Sequence, residues 1–445
     1  MSGISTSSAT SGSGIDVDAI VSQLIEVERA PEKTWQAQQQ RLQSEASALN
    51  DLNSRLSSLD TSMDTLKDVL GAFSKNLVTS SDSSILTATA DSTATNGTHA
   101  IVVNSLATKA SYYSNALASS GTNIASGSLS IKVGSANAVA ITIDSTSNTY
   151  DKLAAKINGL KLGVTATVIN DANGARLAIT GNSTGTANDV TLSDVTGFTF
   201  TQSSSAGNAK LTVDGIPVES TTNTVSNVIA GVTVQLQNTS SNKAITLDIS
   251  PDTGRVAQGI QDFVSNYNNI ISYINGQFSY DSTNQTIGVL SGNPSARILQ
   301  EQLLGVMGYS TKTNGSLPSL YSLGITMGND GTLSLDSAKL NSLLESNFNG
   351  VKGFFQGAAN NGFANTFGAK LTDLTATNGP ITVDLQGNSN EQAAITRQID
   401  DFEVHIEFRR QQLLDQYSRV DALLRQFPLT QSQVTSQLNA LNSSK

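Results

Sequence analysis

The spacing of large apolar residues in the first part of the chain predicts a long amphipathic helix. They stand at Leu42, Leu49, Leu52, Leu56, Leu59, Met63, Leu66 and Leu70. The first step, from Leu42 to Leu49, is seven residues, and the polar Glu45 stands at the position within it where the repeat would place an apolar residue. The later steps alternate between three and four residues, as in a heptad repeat. No Pro or Gly interrupts residues 34–70, so the helix should span roughly 40 Å between residues 42 and 70. An apolar stripe of this length requires partner helices.

Two later stretches repeat the same period. The first contains Val256, Ile260, Phe263, Tyr267, Ile270 and Ile274, and the second contains Ile395, Ile399, Phe402, Ile406, Leu413, Tyr417, Val420, Leu424 and Phe427. A heptad series near each end favours a bundle in which the two ends of the chain lie side by side. We therefore predict that one helical core contains Leu49, Leu52, Leu56, Leu59, Met63, Leu66, Ile260, Phe263, Tyr267, Ile399, Phe402, Ile406, Leu413 and Val420.

Between the first two heptad helices the pattern changes to a period of two, which indicates β-strands. Residues 84–90 and 100–103 alternate in this way, and residues 211–218 contain an Asp-Gly pair of the kind found in tight hairpins. Residues 106–205 are rich in Ser, Thr, Gly and Asn, with further strands and one short helix predicted near residues 150–158. This β-rich block begins after one heptad helix and ends before the next, so we interpret it as an insertion.

These patterns predict an α+β, multi-domain fold, in which a helical coiled-coil or bundle leg built from the terminal heptad helices carries inserted β-rich head domains. A chain of 445 residues is long enough for several domains. We predict flexible segments at the two ends, residues 1–40 and 429–445, and a leg formed by residues 41–75 with 251–428. An inner β domain comprises residues 76–105 with 206–250, and an α+β domain of residues 106–205 is inserted in it.

Each end of the chain has a short amphipathic segment. Asp16 can cap a helix that carries Ile20, Val21, Leu24 and Val27 and ends before Pro31. The C-terminal segment carries Val434, Leu438 and Leu441. A helix this short is marginally stable alone in water, and neither segment has an obvious apolar partner within the chain. We therefore predict that both segments take part in self-assembly.

Composition excludes several classes of function. The net charge is −10, only 14% of residues are charged, and no basic run exists, all of which argue against nucleic-acid binding. Without Cys and with two His, the chain cannot form disulfides or the usual zinc sites, and we expect no cofactor. No run of 18 apolar residues predicts a membrane span.

No pattern in the sequence predicts catalysis. His99 and His405 lack neighbouring groups of a nucleophilic triad, and the acid pair Asp400-Asp401 fits a solvated helix face. Residues 1–14 lack the basic start and apolar stretch of a cleaved signal peptide, which is compatible with either a cytosolic protein or export without cleavage. We predict a protein that is not an enzyme.

Several motifs resemble one family. The opening Gly-Ile-Asp-Val-Asp-Ala-Ile-Val-Ser-Gln-Leu at residues 14–24, with Glu-Arg-Ala-Pro at 28–31, resembles the start of the flagellar filament-capping protein (FliD, hook-associated protein 2) family. Residues 139–181 resemble a short repeat shared by flagellins and the cap. Residues 211–214, 223–225, 229–234, 323–325, 330–336 and 354–355 resemble the family's C-terminal region. Residues 106–137 and 183–205 match no motif of the family.

The resemblance implies a protein that is exported unfolded through the flagellar type III apparatus, without a cleaved signal peptide. It implies an extracellular homo-oligomeric ring at the distal filament tip that promotes insertion and folding of flagellin, and hence motility. Implied partners are flagellin, the hook–filament junction protein and a cytoplasmic export chaperone that binds near residues 434–441. A host surface, and with it cell adhesion, is a further candidate. Ring stoichiometry is set by interface angles that no motif encodes.

Two alternatives remain at this point. The first is a structural axial protein, either flagellin or a hook–filament junction protein, which shares the terminal heptads and the short repeat. It is disfavoured because residues 330–355 resemble the C-terminal region of the cap. The second is a surface adhesin or a glycan-processing enzyme, for which the sequence offers no clear acid pair.

Overall fold

The computed structural model describes residues 16–193, 195, 198–282, 286–311 and 317–442, and only the backbone of Asp281, Leu441 and Asn442. The chain divides into two compact units. The first unit, here called the helical unit, comprises the residues up to Lys67, Ile260–Leu343, and the residues from Asn349 on. The second, the β unit, comprises Asp68–Gly259 and Leu344–Phe348.

The helices begin and end at positions that the side chains explain. They are α1 Val17–Glu28, α2 Ala30–Lys67, α3 Tyr150–Gly159, α4 Thr253–Phe278, α5 Pro294–Leu304, α6 Ser337–Ser346, α7 Phe348–Gln356, α8 Phe363–Thr375 and α9 Pro380–Asn442. The Asp16 carboxylate accepts a hydrogen bond from the Ala19 N–H at the start of α1. Asn293 caps α5 in the same way through the Ala296 N–H, and Pro294 occupies its first position.

The stripe that the sequence predicts on α2 is buried except for Leu70, which lies beyond the end of α2 at Lys67 and is 63% exposed. Leu49, Leu52, Leu56, Leu59, Met63 and Leu66 are each 1% exposed or less. Each fully buried Leu contributes about 2 kcal/mol of hydrophobic free energy, so this face is a main source of stability for the helical unit. Beside it lies a group of aromatic rings with centroids between 5.3 and 6.2 Å apart, formed by Phe263, Tyr267, Tyr309, Phe354, Phe355, Phe363 and Phe367.

The partners of the α2 stripe differ from the prediction. The second half of α2 packs on α8 and α4: the Tyr273 hydroxyl donates to the Ala48 carbonyl at 3.1 Å and the Asn266 amide to the Ser58 carbonyl at 3.2 Å. The C-terminal helix α9 meets only the first half of α2, where the Asn388 amide donates to the Leu42 carbonyl at 3.0 Å. The two ends of the chain lie side by side as predicted, because α9 packs on α1 and on the first half of α2. The stripe of residues 395–427 does not cover that of residues 42–70, because α9 already begins at Pro380 and runs antiparallel to α2.

The β unit contains two hydrophobic cores. Its strands are β1 Asn76–Ser80, β2 Leu86–Ala90, β3 Gly97–Ser105, β4 Ser111–Ser114, β5 Gly127–Val133, β6 Val139–Ile143, β7 Val164–Asp171, β8 Gly174–Gly181, β9 Val190–Ser193, β10 Phe200–Ser204, β11 Ala209–Val213, β12 Ile216–Ser220, β13 Thr224–Ser226, β14 Val232–Leu236 and β15 Ile245–Pro251. The helical unit adds the short pairs β16 Tyr280–Asp281 with β17 Thr286–Ile287, and β18 Ile325–Met327 with β19 Leu333–Leu335.

One core involves the sheets β1-β15-β3-β11-β12 and β13-β14-β2. Its central residues Ile101, Val103 and Leu247 are fully buried. The predicted Asp-Gly turn joins β11 to β12: Asp214 and Gly215 both have positive φ angles, +52° and +81°, which a type I′ hairpin requires.

The other core involves the sheets β10-β4-β8-β7 and β6-β5-β9 with α3. Tyr150, Leu153 and Ile157 of α3 point into it and are fully buried. The predicted short helix at residues 150–158 is confirmed. Its start is explained by Thr149, whose hydroxyl accepts a hydrogen bond from the Lys152 N–H.

The predicted fold class, helical terminal regions with β-rich domains between them, is confirmed. Two of the predicted divisions fall inside helices: α2 runs without interruption through residues 40 and 41, and α9 runs through residues 428 and 429 although Pro428 lies within it. Both segments that were predicted to be flexible thus contain helix, namely α1 with the start of α2, and the end of α9.

Candidate assembly surface

The apolar face of α1 has a partner within the chain. Val21 and Ile25 are buried against Ile406 and Leu413 of α9, and Val17, Phe402, Leu414 and Tyr417 pack around them. The sequence-based interpretation that α1 has no in-chain partner is therefore wrong. The signal that could have revealed the pairing is the seven-residue step between Ile406 and Leu413, which matches the repeat of a helix seam.

The predicted assembly residues of α1 lie to the side of this contact. Ile20 is half-buried, Leu24 is 37% exposed and Val27 is 74% exposed. Residues at i and i+4 share one helix face, so Val21 and Ile25 face α9 while Val27 faces away from it. The apolar surface of Leu24 and Val27 thus stays accessible to another molecule.

A charged cluster holds the end of α1 against α9. The Arg29 guanidinium donates to both oxygens of Glu403, at 2.6 and 2.7 Å, and to Glu32 at 2.6 Å. Arg409 donates to the Glu28 carboxylate at 3.1 Å. The Arg29 hydrogen bond holds the pKa of the Glu403 carboxyl below its usual range, and the same bond to Glu403 raises the pKa of Arg29. Bidentate pairing of this kind fixes geometry as well as adding energy.

Next to this cluster the ring of Trp35 meets that of Phe402 edge to face, with centroids 5.2 Å apart. Phe402 in turn stacks on His405 at 6.4 Å. The contact places His405 in a structural position, beside the pairing of α2 with α9.

We expect Arg29→Met to loosen α1 from α9, because Met keeps the aliphatic stem but removes both hydrogen bonds to Glu403. Amide hydrogen exchange should speed up across residues 17–28 and stay unchanged in β3 and β15. The pKa of Glu403 is depressed in the folded state. The stability that its carboxylate contributes is therefore present above its usual pKa of 4.5 and is lost as the pH falls through its pKa in the folded protein. In the parent protein, exchange of α1, corrected for intrinsic rates, should therefore rise on acidification, and in Arg29→Met this dependence should be weaker. Equal protection of α1 in both proteins would contradict this role for Arg29.

The predicted core residues of the helical unit divide into three groups. Ile260, Phe263, Tyr267, Ile406 and Leu413 are buried together with the six α2 residues described above. Ile399 and Phe402 are half-buried. Val420 is 42% exposed, so its assignment to the core is wrong for a single chain. The physical reason is length: α9 extends past the first residue of α1, and beyond that point the described part of the chain supplies no helix to cover it.

The last part of α9 exposes a row of apolar side chains, here called the α9 stripe. It consists of Val420, Leu423, Leu424, Phe427, Val434 and Leu438. The first four stand at i, i+3, i+4 and i+7, the spacing of anchors on one helix face. Phe427 is 71% exposed. The side chain of Leu441, predicted to belong to the same segment, lies outside the described residues. A row of this length marks an interaction surface.

The β unit contains a close pair formed by His99 and Asp214. The His99 Nδ1 lies 2.7 Å from a carboxylate oxygen of Asp214, and the other oxygen accepts from the Ala100 N–H at 2.8 Å. These contacts, first the backbone N–H and then His99, lower the pKa of Asp214. The pair fastens the β11–β12 turn to β3. Among the described residues no group of His, Asp and Glu is arranged to hold a metal ion. None of the described helices has the length and apolar character needed to cross a membrane.

Two family profiles account for most of the chain outside the α3-containing core. Residues 13–110 match the flagellar hook-associated protein 2 N-terminus, and residues 206–428 match the flagellar hook-associated protein 2 C-terminus. The chain belongs to the flagellar hook-associated protein 2 (FliD) family. The second profile ends at Phe427-Pro428, so most of the α9 stripe lies within or at the edge of the matched region.

Relatives extend this similarity over nearly the whole chain. The flagellar hook-associated protein 2 of Escherichia coli K12 is 28% identical over 99% of this chain and 100% of its own length. The A-type protein of Pseudomonas aeruginosa is 30% identical over 96% of each chain. The crystal structure of the D1-D2-D3 domains of the Escherichia coli flagellar cap protein FliD superimposes with a TM-score of 0.59 at 28% identity, covering 77% of this chain and 99% of that one.

This FliD chain is therefore a flagellar filament cap protein. The alternatives of an axial filament protein or a surface adhesin find no support here, since the relatives are named flagellar hook-associated protein 2 and the solved structure is that of a flagellar cap protein. Its place is the flagellum, and its family is structural.

Proposed function

We propose that this chain assembles into a homo-oligomeric ring at the distal tip of the flagellar filament and promotes insertion and folding of exported flagellin there. The α9 stripe carries this proposal, because six apolar side chains on one helix stay exposed and the described part of the chain supplies no partner for them. Leu24 and Val27 of α1 add a second apolar surface.

The parts of the chain have separate proposed roles. Residues 41–75 and 251–428 form the leg that meets the filament, and the β-rich ranges 76–105 with 206–250 and 106–205 form the plate. Residues 1–40 and 429–445 are the assembly segments. Export proceeds without a cleaved signal peptide. The family's role as cap and the separate hydrophobic cores of the β unit support this division.

The proposed partners are other copies of the chain, flagellin, the hook–filament junction protein and a cytoplasmic export chaperone, with a host surface as a further candidate. We propose that the chaperone binds the segment carrying Val434, Leu438 and Leu441. An apolar helix face that later binds another copy would need such protection before export, since exposed apolar rows promote early association. Chaperone binding and ring formation should then compete.

Deleting residues 429–445 should weaken self-association, because it removes Val434 and Leu438 from the stripe. The side chains of residues 429–440 are all exposed, so the deletion leaves both folded units intact. Sedimentation velocity should show an oligomer of the full chain at low micromolar concentration. The truncated chain should need a concentration about tenfold or more higher to form the same oligomer. Circular dichroism should show unchanged strand content.

A matched control replaces the exposed Gln431, Gln433 and Gln437 of the same stretch by Ala, which removes no apolar surface. This variant should sediment as the parent does. In a strain that lacks the gene, filaments should be absent and flagellin should appear in the medium as monomer. The full chain should restore filaments and the truncated chain should do so poorly. Intact filaments in the deletion strain would refute the capping role.

A further inference from the structure

A groove runs along the helical unit between α5 and α8. It consists of two adjoining depressions of about 690 and 230 Å³ that share Gln302, Gly305 and Lys370. The larger one extends to Pro380 at the start of α9. Their sizes lie near the range of roughly 300–1,000 Å³ that is common for binding sites.

The groove has an apolar floor and a charged rim. Phe363, Phe367 and Leu374, each 5% exposed or less, lie at the bottom of the groove, and Ile298, which is 47% exposed, adds accessible apolar surface. Glu301, Asp373 and Lys370 stand along the rim. Within the described residues these three form no ion pair with one another or with other side chains. An apolar floor with unpaired charges at its edge suits an amphipathic helix that carries charge beside its apolar face.

The chain's own α9 stripe has this character but cannot reach the groove. Pro380 lines the groove, and Val420 follows 40 residues later on the same continuous helix, at a distance of about 60 Å. Among the described residues no element covers either surface, and because one rigid helix separates them, a contact between groove and stripe requires a second chain.

We propose that the α9 stripe of one copy docks in the α5–α8 groove of a second copy. Val420, Leu423, Leu424 and Phe427 supply the anchors at i, i+3, i+4 and i+7. Arg419, which forms no ion pair among the described residues, stands next to the first anchor and pairs with the acidic rim at Glu301 or Asp373. A contact between two different surfaces is heterologous and closes into a ring when the rotation permits. The inference rests on the proposed function, since it names the surfaces that join copies in the cap.

Cross-linking tests the contact directly, because the chain has no native Cys. One population carries Lys370→Cys in the groove and another carries Phe427→Cys in the stripe. After mixing and mild oxidation we expect a disulfide dimer whose linked peptides contain positions 370 and 427. The control pairs Lys370→Cys with Phe408→Cys, which is also exposed on α9 but lies outside the stripe. An equal yield from the control, or no dimer between 370 and 427, would overturn the proposal.

Filling the groove provides a second test. A Cβ on Gly305 meets no atom within 4 Å and its φ is −66°, so Gly305→Trp is accommodated by the backbone and places a large ring in the middle of the groove. Self-association should weaken about tenfold or more. Gly276→Trp is the matched control, because Gly276 is exposed on α4 with equally open space. It should associate as the parent chain does.

The outcomes separate this inference from the capping role. Rings that form normally with Gly305→Trp, without the 370–427 cross-link, would reject the groove as the contact and leave the cap intact. A full chain that forms no oligomer at any concentration would reject both. If Gly305→Trp reduces binding of purified flagellin and leaves self-association unchanged, the groove receives flagellin instead, and the proposal is wrong.

Discussion

Replacing Leu56 by Asp is expected to destabilise the helical unit by about 4 kcal/mol or more. Leu56 lies in the middle of the buried α2 stripe and is 0% exposed. The substitution removes a packed side chain and leaves either a buried charge or a carboxyl that must bind a proton to remain there. The unfolding transition of this unit, followed by urea titration, should move to a markedly lower midpoint.

Trp35 offers a selective probe for this experiment, because it is the one Trp of the chain and lies in the helical unit. The control is Ser54→Asp, which places the same carboxylate on the exposed face of α2 two residues away. It should change the midpoint only slightly. If Leu56→Asp and Ser54→Asp unfold at the same urea concentration, the stripe does not provide the core of this unit.

Replacing Phe263 by Ala should cost about 3–5 kcal/mol of stability. Phe263 is fully buried on α4, and its ring lies 5.5 Å from that of Phe363 and 6.1 Å from that of Phe367, both edge to face. The substitution opens a cavity and also removes aromatic pairs worth about 0.5–1.5 kcal/mol each beyond the buried area. Differential scanning calorimetry should show a lower transition temperature for the helical unit and an unchanged one for the β unit.

Phe408→Ala serves as the comparison, because Phe408 is 62% exposed on α9. Its transition should stay close to that of the parent. Phe263→Leu should fall between the two, since Leu retains much of the buried volume. If Phe263→Ala and Phe408→Ala have the same transition temperature, the aromatic group contributes little to the stability of the fold.

Local patterns were sufficient for many of the helices and strands and for the buried face of α2, although not for the extent of α9, which continues through Pro428. Heptad spacing depends only on the geometry of one helix, so the positions from Leu49 to Leu66 could be assigned to a core without knowledge of the partner. The Asp214-Gly215 turn was equally predictable, because few residues adopt two consecutive positive φ angles. The family motifs of residues 14–31 and 323–355 pointed to the cap for the same reason, since each is readable as a short segment.

The pairing of the helices could not be read from such patterns. An apolar stripe indicates that a helix has a partner but does not identify that partner. Three stripes of similar period allow several pairings that would bury similar apolar surface and so release similar hydrophobic free energy. The structure assigns α8 and α4 to the second half of α2, and α9 to α1 and the first half of α2. The Arg29–Glu403 contact joins residues far apart in the chain and becomes visible only with that register.

The candidate assembly surface shows the same division. The apolar residues between Val420 and Leu438 and their helical spacing were evident from the amino-acid sequence. Whether such a row is core or surface depends on whether another element of the chain covers it. α9 extends beyond α1, so the row is exposed, and the α5–α8 groove exists only because segments separated by about 60 residues fold against each other. Short-range spacing thus specifies which faces are apolar, while long-range packing specifies which of them remain free for a second chain.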